Sequence, residues 1–174
     1  MRHPRHSRAG FTAIEMIVVV AIIVSLAGVI IPVVSGELDS AKEARVAVDL
    51  KHIADALRHY IRDTGFQPTG DRGAHDYHWA YTNGEQPISN DFNDGRSAHL
   101  RRFLEVNDFG GASWKGPYLS ELGADPWGHA YLVNLQGFFT TENVLVLSAG
   151  ANGAVDTPPT ATSPDGDDIA LLVE

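Results

Sequence analysis

The chain has 174 residues, 44% of them hydrophobic, no cysteine and a formal charge of −9. That length holds one modest domain. The missing cysteines exclude a disulfide scaffold, and the acidic balance, without a basic stripe or interleaved aromatics, excludes a nucleic-acid interface.

Apolar residues concentrate between Phe11 and Val34, and Met16 to Gly36 carry no charge over 21 residues. About 20 residues at a rise of ~1.5 Å span the ~30 Å hydrocarbon core of a bilayer. Arg2, Arg5 and Arg8 precede the run with no acid beside them, a bias that holds the first ten residues on the cytoplasmic face and puts the rest outside. Removing those three arginines from −9 leaves −12. A cleaved secretory signal needs a small-residue site after the apolar core, and "IIPVVSGELDSAKEA" matches that poorly. A plain anchor explains the length but not Glu15, Pro32 or the short leader ending in Gly10. An ionisable group at the edge of a spanning helix marks a partner or a function. A cut between Gly10 and Phe11 would create an α-amino group one helical turn from Glu15, or within reach of the same residue in a neighbour.

The pattern "RAG/FTAIEM" followed by an apolar helix resembles the class III signal of type IV pilins and type II secretion pseudopilins. The resemblance implies cleavage after Gly10 by a prepilin peptidase, N-methylation of Phe11, and a salt bridge from Glu15 to the terminus of an adjacent subunit. Thr12, Met16 and Pro32 also fall where that pattern places such residues; Ala13 departs from it, standing where a larger side chain is commoner.

Beyond the apolar run the helix continues. Val46, Leu50, Ile53, Leu57 and Tyr60 recur at helical spacing and define one face. Arg45 with Asp49 and Asp55 with Arg58 add pairs worth a few tenths of a kcal/mol each on the other side, where His52 and His59 read as solvated. Helix from Phe11 to Arg62 would be roughly 75–80 Å long. Gly28, Pro32 and Gly36 are candidate bends, and Asp63-Thr64-Gly65, with Pro68 beyond, is the stop.

Residues 69–95 show no helical or strand period and read as an irregular surface loop. His75 and His78 are spaced to seed a metal site, with a solvated loop as the plain alternative. Ser97 to Asn107 reads as a short helix burying Leu100, Phe103 and Leu104. Asp125-Pro126-Trp127-Gly128 makes a rigid bend before a strand over Ala130 to Leu135. "ENVLVLSAG" supplies a partner strand and "DIALLV" a third, giving a small antiparallel sheet against the long helix. Each of Val46, Leu50, Ile53 and Leu57 would contribute ~1.5–3 kcal/mol when fully buried.

In "SAGANGAVDTPPTATSPDGDDIA", Asn152, Asp156, Asp165, Asp167 and Asp168 offer side-chain oxygens on a Gly/Pro-rich loop. Such donors suit Ca²⁺, the spacing is not that of an EF-hand, and a solvated acidic loop is the other reading. The order "GPYL…DPWGHAY…VLSAGANG…DD" is similar to the head of the type II secretion major pseudopilins, the protein G family. That resemblance implies a structural calcium held by the carbonyls of Ala149 and Ala154 with Asn152, Asp167 and Asp168. Asn152 stands where aspartate is usual, which keeps an oxygen and removes a charge.

The expected fold is α+β and type IV pilin-like. It comprises a leader at 1–10, a transmembrane or filament-core half-helix at 11–35, an amphipathic half-helix at 36–64, and a periplasmic head at 65–174 with a variable loop at 69–95 and a calcium loop at 148–169. The resemblance implies an inner-membrane, single-pass subunit that forms a homopolymer, the pseudopilus, and meets a prepilin peptidase, minor pseudopilins and an inner-membrane assembly platform. A major type IV pilin for adhesion or motility, and a membrane-anchored binding domain that never polymerises, remain as alternatives. No G-x-S-x-G, H-E-x-x-H or phosphate-loop motif is present, so the expectation is assembly rather than catalysis.

Overall fold

The computed structural model describes residues 11–65, 77–89, 96–109, 111–120, 123–138, 140 and 143–173. The chain divides into two compact units, Met1–Ala41 and Lys42–Glu174. One helix, α1 (Ala13–Thr64), runs without interruption through both, and Pro32 lies inside it. Gly28 and Gly36 do not break it, and the Ser35 and Ser40 hydroxyls donate to the carbonyls of Ile31 and Gly36 at 3.0 and 3.1 Å. The helix stops where the sequence places the stop. Gly65 adopts φ 71° and its amide donates to Ile61 O at 2.8 Å, a left-handed exit that a residue without Cβ adopts freely.

In the first unit the described part of α1 keeps its apolar side chains in solvent, from Phe11 at 83% exposure through Val34. In the second unit the periodic stripe does what its spacing predicts. Val46, Leu50, Ile53, Leu57 and Tyr60 are all buried, in one cluster with Ala80, Ala98, Phe103, Leu104, Tyr131, Val133 and Val146. His52 and His59 are exposed. Arg45–Asp49 and Arg58–Asp55 are ion pairs at 3.5 and 2.9 Å.

The stripe packs on a five-stranded sheet of order β2-β1-β3-β4-β5, formed by β1 (Trp79–Tyr81), β2 (Ser97–His99), β3 (Leu132–Asn134), β4 (Leu145–Ser148) and β5 (Ile169–Leu172). Three of these are the strands read from sequence. The sheet is mixed rather than antiparallel, because β1 pairs with β2 in parallel and with β3 antiparallel. Two further expectations are corrected. The segment 69–95 contains β1, whose Trp79, Ala80 and Tyr81 are all buried, so part of it is sheet rather than surface loop. Residues 97–107 form a strand followed by a single-turn helix, α2 (Arg101–Leu104). Leu100, Phe103 and Leu104 are buried as predicted, but pairing with β1 draws Ser97–His99 into extended backbone.

Alternation along the strands gives the sheet two apolar faces. Ala80, Val133 and Val146 join the cluster on α1; Trp79, Tyr81, Leu132, Leu145 and Leu147 form a second cluster with Val155, Ala170 and Leu172 around it. The excursion between β4 and β5 lies along that second face. Asn143 Nδ2 donates to Ala161 O at 2.9 Å, and Thr162, Ser163 and Pro164 line a hollow with Leu145, Ala170 and Leu172.

Polar ties fix α1 to this sheet. Fully buried Tyr131 donates its hydroxyl to Asp49 Oδ2 at 2.7 Å, and burial, with the Asp49 carboxylate, pushes the phenol pKa far up. Tyr60, Phe103 and Tyr118 meet edge to face, with ring centroids 5.9–6.2 Å apart. At the end of α1, Asp63 lies 3.5 Å from Lys115 Nζ and 3.6 Å from Arg62 Nε. Burial raises the Asp63 pKa, but the Lys115 and Arg62 cations outweigh it and the net shift is downward.

Leu57→Ala removes a fully buried side chain from the stripe and is expected to cost about 2–5 kcal/mol of head stability by urea unfolding. For Asp63, a lowered native pKa means stability that is present above the unfolded value of about 3.9 and is lost as pH falls through the native value. Asp63→Asn is therefore expected to flatten the acid limb of the stability–pH curve below about pH 4. An unchanged acid limb would remove the Lys115–Arg62 account.

Candidate functional sites

Two places gather the polar groups that the sequence singles out. The first is the start of α1. Thr12 immediately precedes the helix, and its backbone N–H and its hydroxyl both donate to Glu15 Oε2 at 2.7 Å. The Glu15 amide in turn points at Thr12 Oγ1 at 3.3 Å. Thr12-Ala13-Ile14-Glu15 is thus a capping box, in which an N-cap hydroxyl and the N3 carboxylate satisfy each other's orphan donors. The T-x-x-E spacing is legible in the sequence. The bond draws the carboxylate back over the first turn, beside the Phe11–Thr12 peptide. Phe11 and Glu15 thus lie together at the helix start, while Gly10 falls outside the described residues. From here α1 is long and apolar enough to cross a membrane once, and its apolar stretch is left unburied.

The second place is the turn between β4 and β5. Two stretches of it, 149–157 and 165–168, are sewn together by carboxylates. Asp168, only 6% exposed, accepts from the amides of Asp156 and Thr157 through Oδ2 at 2.9 and 2.7 Å. Its other oxygen, Oδ1, is buried without a hydrogen-bond partner. Burial raises the Asp168 pKa against the opposing bonds from Thr157 and Asp156. Asp167 Oδ2 accepts from the Asn152 amide at 2.9 Å, and Asn152 Oδ1 accepts from the Ala154 amide at 2.6 Å. Gly150 and Gly166 have positive φ, and a Cβ on either would strike Asp167 or Asp156. Glycine is required at both by backbone and by space.

Of the set expected for calcium, Asn152, Ala154, Asp167 and Asp168 therefore share one joint, at whose β4 end Ala149 is fully buried. Among the described residues no group of three or more His, Asp or Glu side chains comes together to hold an ion. The expected set has only two carboxylates, with an amide oxygen and two carbonyls as the remainder. An all-oxygen set of this kind suits a hard cation, and the orphaned Asp168 Oδ1 is an atom that a cation would satisfy. His75 lies outside the described residues, and His78 Nε2 sits 3.1 Å from the Arg96 guanidinium.

Beside this joint is a buried polar hub with only its bend visible in the sequence. Asp125 Oδ1 accepts from the amides of Trp127 and His129 at 3.0 and 2.9 Å, closing the turn at Gly128, whose φ is 99°. Its Oδ2 accepts from Ser148 Oγ at 2.6 Å. The hub fastens the Pro126 bend to the end of β4, and the His129 ring lies against Gly153, where a Cβ would come within 2.6 Å of Nε2. Ser148 and Asp125 are 23 residues apart, so this contact has no local signature.

Residues 96–163 match the family described as Type II secretion system (T2SS), protein G. The Type II secretion system core protein G of Pseudomonas aeruginosa is 32% identical over 150 residues, 86% of this chain and 87% of that protein. Those of Escherichia coli and Vibrio cholerae are 27% and 28% identical over 88% and 86% of this chain, covering 89% and 87% of their own lengths. No solved structure matches. With a relative 32% identical over 86% of this chain and 87% of its own length, the chain belongs to the type II secretion system core protein G family.

Proposed function

We propose that this chain is a major pseudopilin subunit that polymerises into the periplasmic pseudopilus of a type II secretion system and so drives folded proteins across the outer membrane. The observation that carries this reading is the Glu15 carboxylate folded against the Thr12 amide at the head of a helix whose apolar first half is left exposed. Cleavage after Gly10 by a prepilin peptidase would put a new, then methylated, α-amino group on Phe11, one peptide bond from that carboxylate. In an isolated subunit the capping box satisfies Glu15. In a filament the same carboxylate would trade its Thr12 donors for the amine of a neighbouring subunit, a charge-assisted contact that gains strength in an apolar surround. The leader stays cytoplasmic and the head lies in the periplasm, in contact with minor pseudopilins and the inner-membrane platform. Relatives named for type II secretion support this reading over adhesion or motility, and the role is assembly rather than catalysis.

The joint between β4 and β5 would hold Ca²⁺ through the carbonyls of Ala149 and Ala154 and the side chains of Asn152, Asp167 and Asp168. The ion would satisfy Asp168 Oδ1 and lock the excursion that covers the second face of the sheet. Asp168 already orders that excursion through two amide bonds, so the cation would reinforce an existing closure.

The capping role and the pairing role of Glu15 separate by substitution. Glutamine also caps in this box, so Glu15→Gln is expected to keep membrane insertion and the helix start yet lose incorporation into filaments, read by shearing and immunodetection. Normal filaments from that variant would end the pairing account. Mass analysis of the mature protein should begin at methylated Phe11. For the ion, detergent-solubilised protein at about a hundredfold excess over Kd gains ~2.7 kcal/mol, or roughly 10 °C in Tm. Asp168→Asn, which keeps an oxygen acceptor for the two amides, should abolish that response. A Tm unmoved by calcium or chelator returns the loop to a purely hydrogen-bonded role.

A further inference from the structure

Residues 82–89 leave the end of β1, and their backbone grips two separate turns. Glu85 pairs in parallel with His129: its N–H donates to Gly128 O at 3.0 Å and its carbonyl accepts from the Ala130 N–H at 2.8 Å. Three residues later Ile88 pairs in parallel with Ala154, donating to Gly153 O at 2.9 Å and accepting from the Val155 N–H at 2.8 Å. One strap thus ties the Asp125 hub to the joint between β4 and β5. The grip at Ile88 belongs to the main chain, since its side chain is 74% exposed.

The register of the second bridge decides what Ala154 presents. In bridged, extended backbone the N–H and C=O of one residue face one side, while the facing groups of its two neighbours turn to the other. Ile88 takes the Gly153 carbonyl and the Val155 N–H, so both polar groups of Ala154 face away from the strap. The Ala154 N–H marks that side, because it donates to Asn152 Oδ1 at 2.6 Å. Among the described residues nothing donates to the Ala154 carbonyl. Behind the turn Gly153 is buried, and a Cβ on it would come within 2.6 Å of His129 Nε2. The turn is therefore held between the strap and the His129 ring.

We propose that Ile88 is a positioning residue for the cation joint, whose main chain keeps the Ala154 carbonyl turned to the Asn152 side as an oxygen ligand. This assignment rests on the calcium reading above and adds to it a contact from outside the 148–169 loop. A carbonyl carries no net charge to tune, so its direction is what the fold can set. Partners that orient a ligand without touching the metal typically carry 10- to 100-fold in affinity. The coupling is reciprocal, so the two Ile88 bonds should be harder to open when the joint is loaded.

The test titrates full-length, detergent-solubilised protein with terbium as a probe for calcium and counts its bound waters from luminescence lifetimes in light and heavy water. Ile88→Pro removes the N–H that holds Gly153 O, whereas Ile88→Ala keeps both main-chain bonds. The proline variant is expected to bind terbium and calcium roughly 10- to 100-fold more weakly and with one more bound water, and the alanine variant to match the wild type in both. Wild-type affinity and water count in Ile88→Pro would overturn this role and leave the calcium reading standing, and so would an alanine variant as weak as the proline one. Hydrogen exchange on the unsubstituted chain needs no variant: the Val155 amide should be protected in chelator and exchange more slowly still in calcium. Exchange at the free-chain rate in folded protein would show the strap open and end the proposal. A wild type that binds neither ion while Val155 stays protected would sink the calcium reading, and this role with it.

Discussion

The head rests on one apolar stripe. Val46, Leu50, Ile53, Leu57 and Tyr60 present a continuous surface on the second half of α1, and a sheet of very short strands is assembled over it. Strands of three and four residues make few ladder bonds, and isolated short hairpins are marginal in water. They persist here because alternate residues from β1, β3 and β4 are buried against the stripe. The Tyr131–Asp49 bond then fixes where along the helix β3 begins, since a one-turn slip would strand a buried hydroxyl and a carboxylate.

A sheet this small cannot leave its second face open when that face carries Trp79, Leu132, Leu145 and Leu147. The excursion between β4 and β5 is the cover, and it has little apolar substance of its own beyond Val155. Its closure is therefore polar: the Asp168 bonds to the amides of Asp156 and Thr157, the Asp167 bond to the Asn152 amide, and the Asp165 amide donating to Thr157 Oγ1 at 2.9 Å. Asp125 anchors the opposite wall through Ser148. The second core thus depends on carboxylates held by backbone amides, with one buried oxygen left over.

What could be read in advance follows the range of the interactions involved. The α1 stripe, the Gly65 stop and the strands at β3, β4 and β5 rest on local periodicity or local turn chemistry, and all were legible. β1 was not, because its three residues are buried on both sides and sit among turn formers, leaving no alternation to detect. Ser97–His99 reads as helix from the helical spacing of Leu100, Phe103 and Leu104; its extended state comes from pairing with β1, 18 residues earlier. Asn152, Asp167 and Asp168 stand out through family likeness and oxygen content as ion ligands, not as the hydrogen-bonded joint they form, whereas the Asp125–Ser148 hub depends on contacts across distant sequence. The Thr12–Glu15 box is legible in its T-x-x-E spacing alone, independent of the membrane context.

The two units treat their polar groups by opposite rules. Around α1's first half, Glu15 is the single carboxylate beside an apolar surface that the chain itself leaves exposed. Its local partner, Thr12, supplies neutral donors, and an isolated subunit is complete without any neighbour at this point. A cation presented by another subunit would replace those donors with a stronger partner while the surrounding side chains leave solvent, so burial and pairing would reinforce each other. In the head the carboxylates are already engaged by backbone amides, and Gly150, Gly153 and Gly166 bring the chain so close that side chains at those positions would collide with Asp167, His129 or Asp156. On the proposed reading the stem would exchange its polar contact while the head keeps its own, the division expected of a subunit that assembles through its stem.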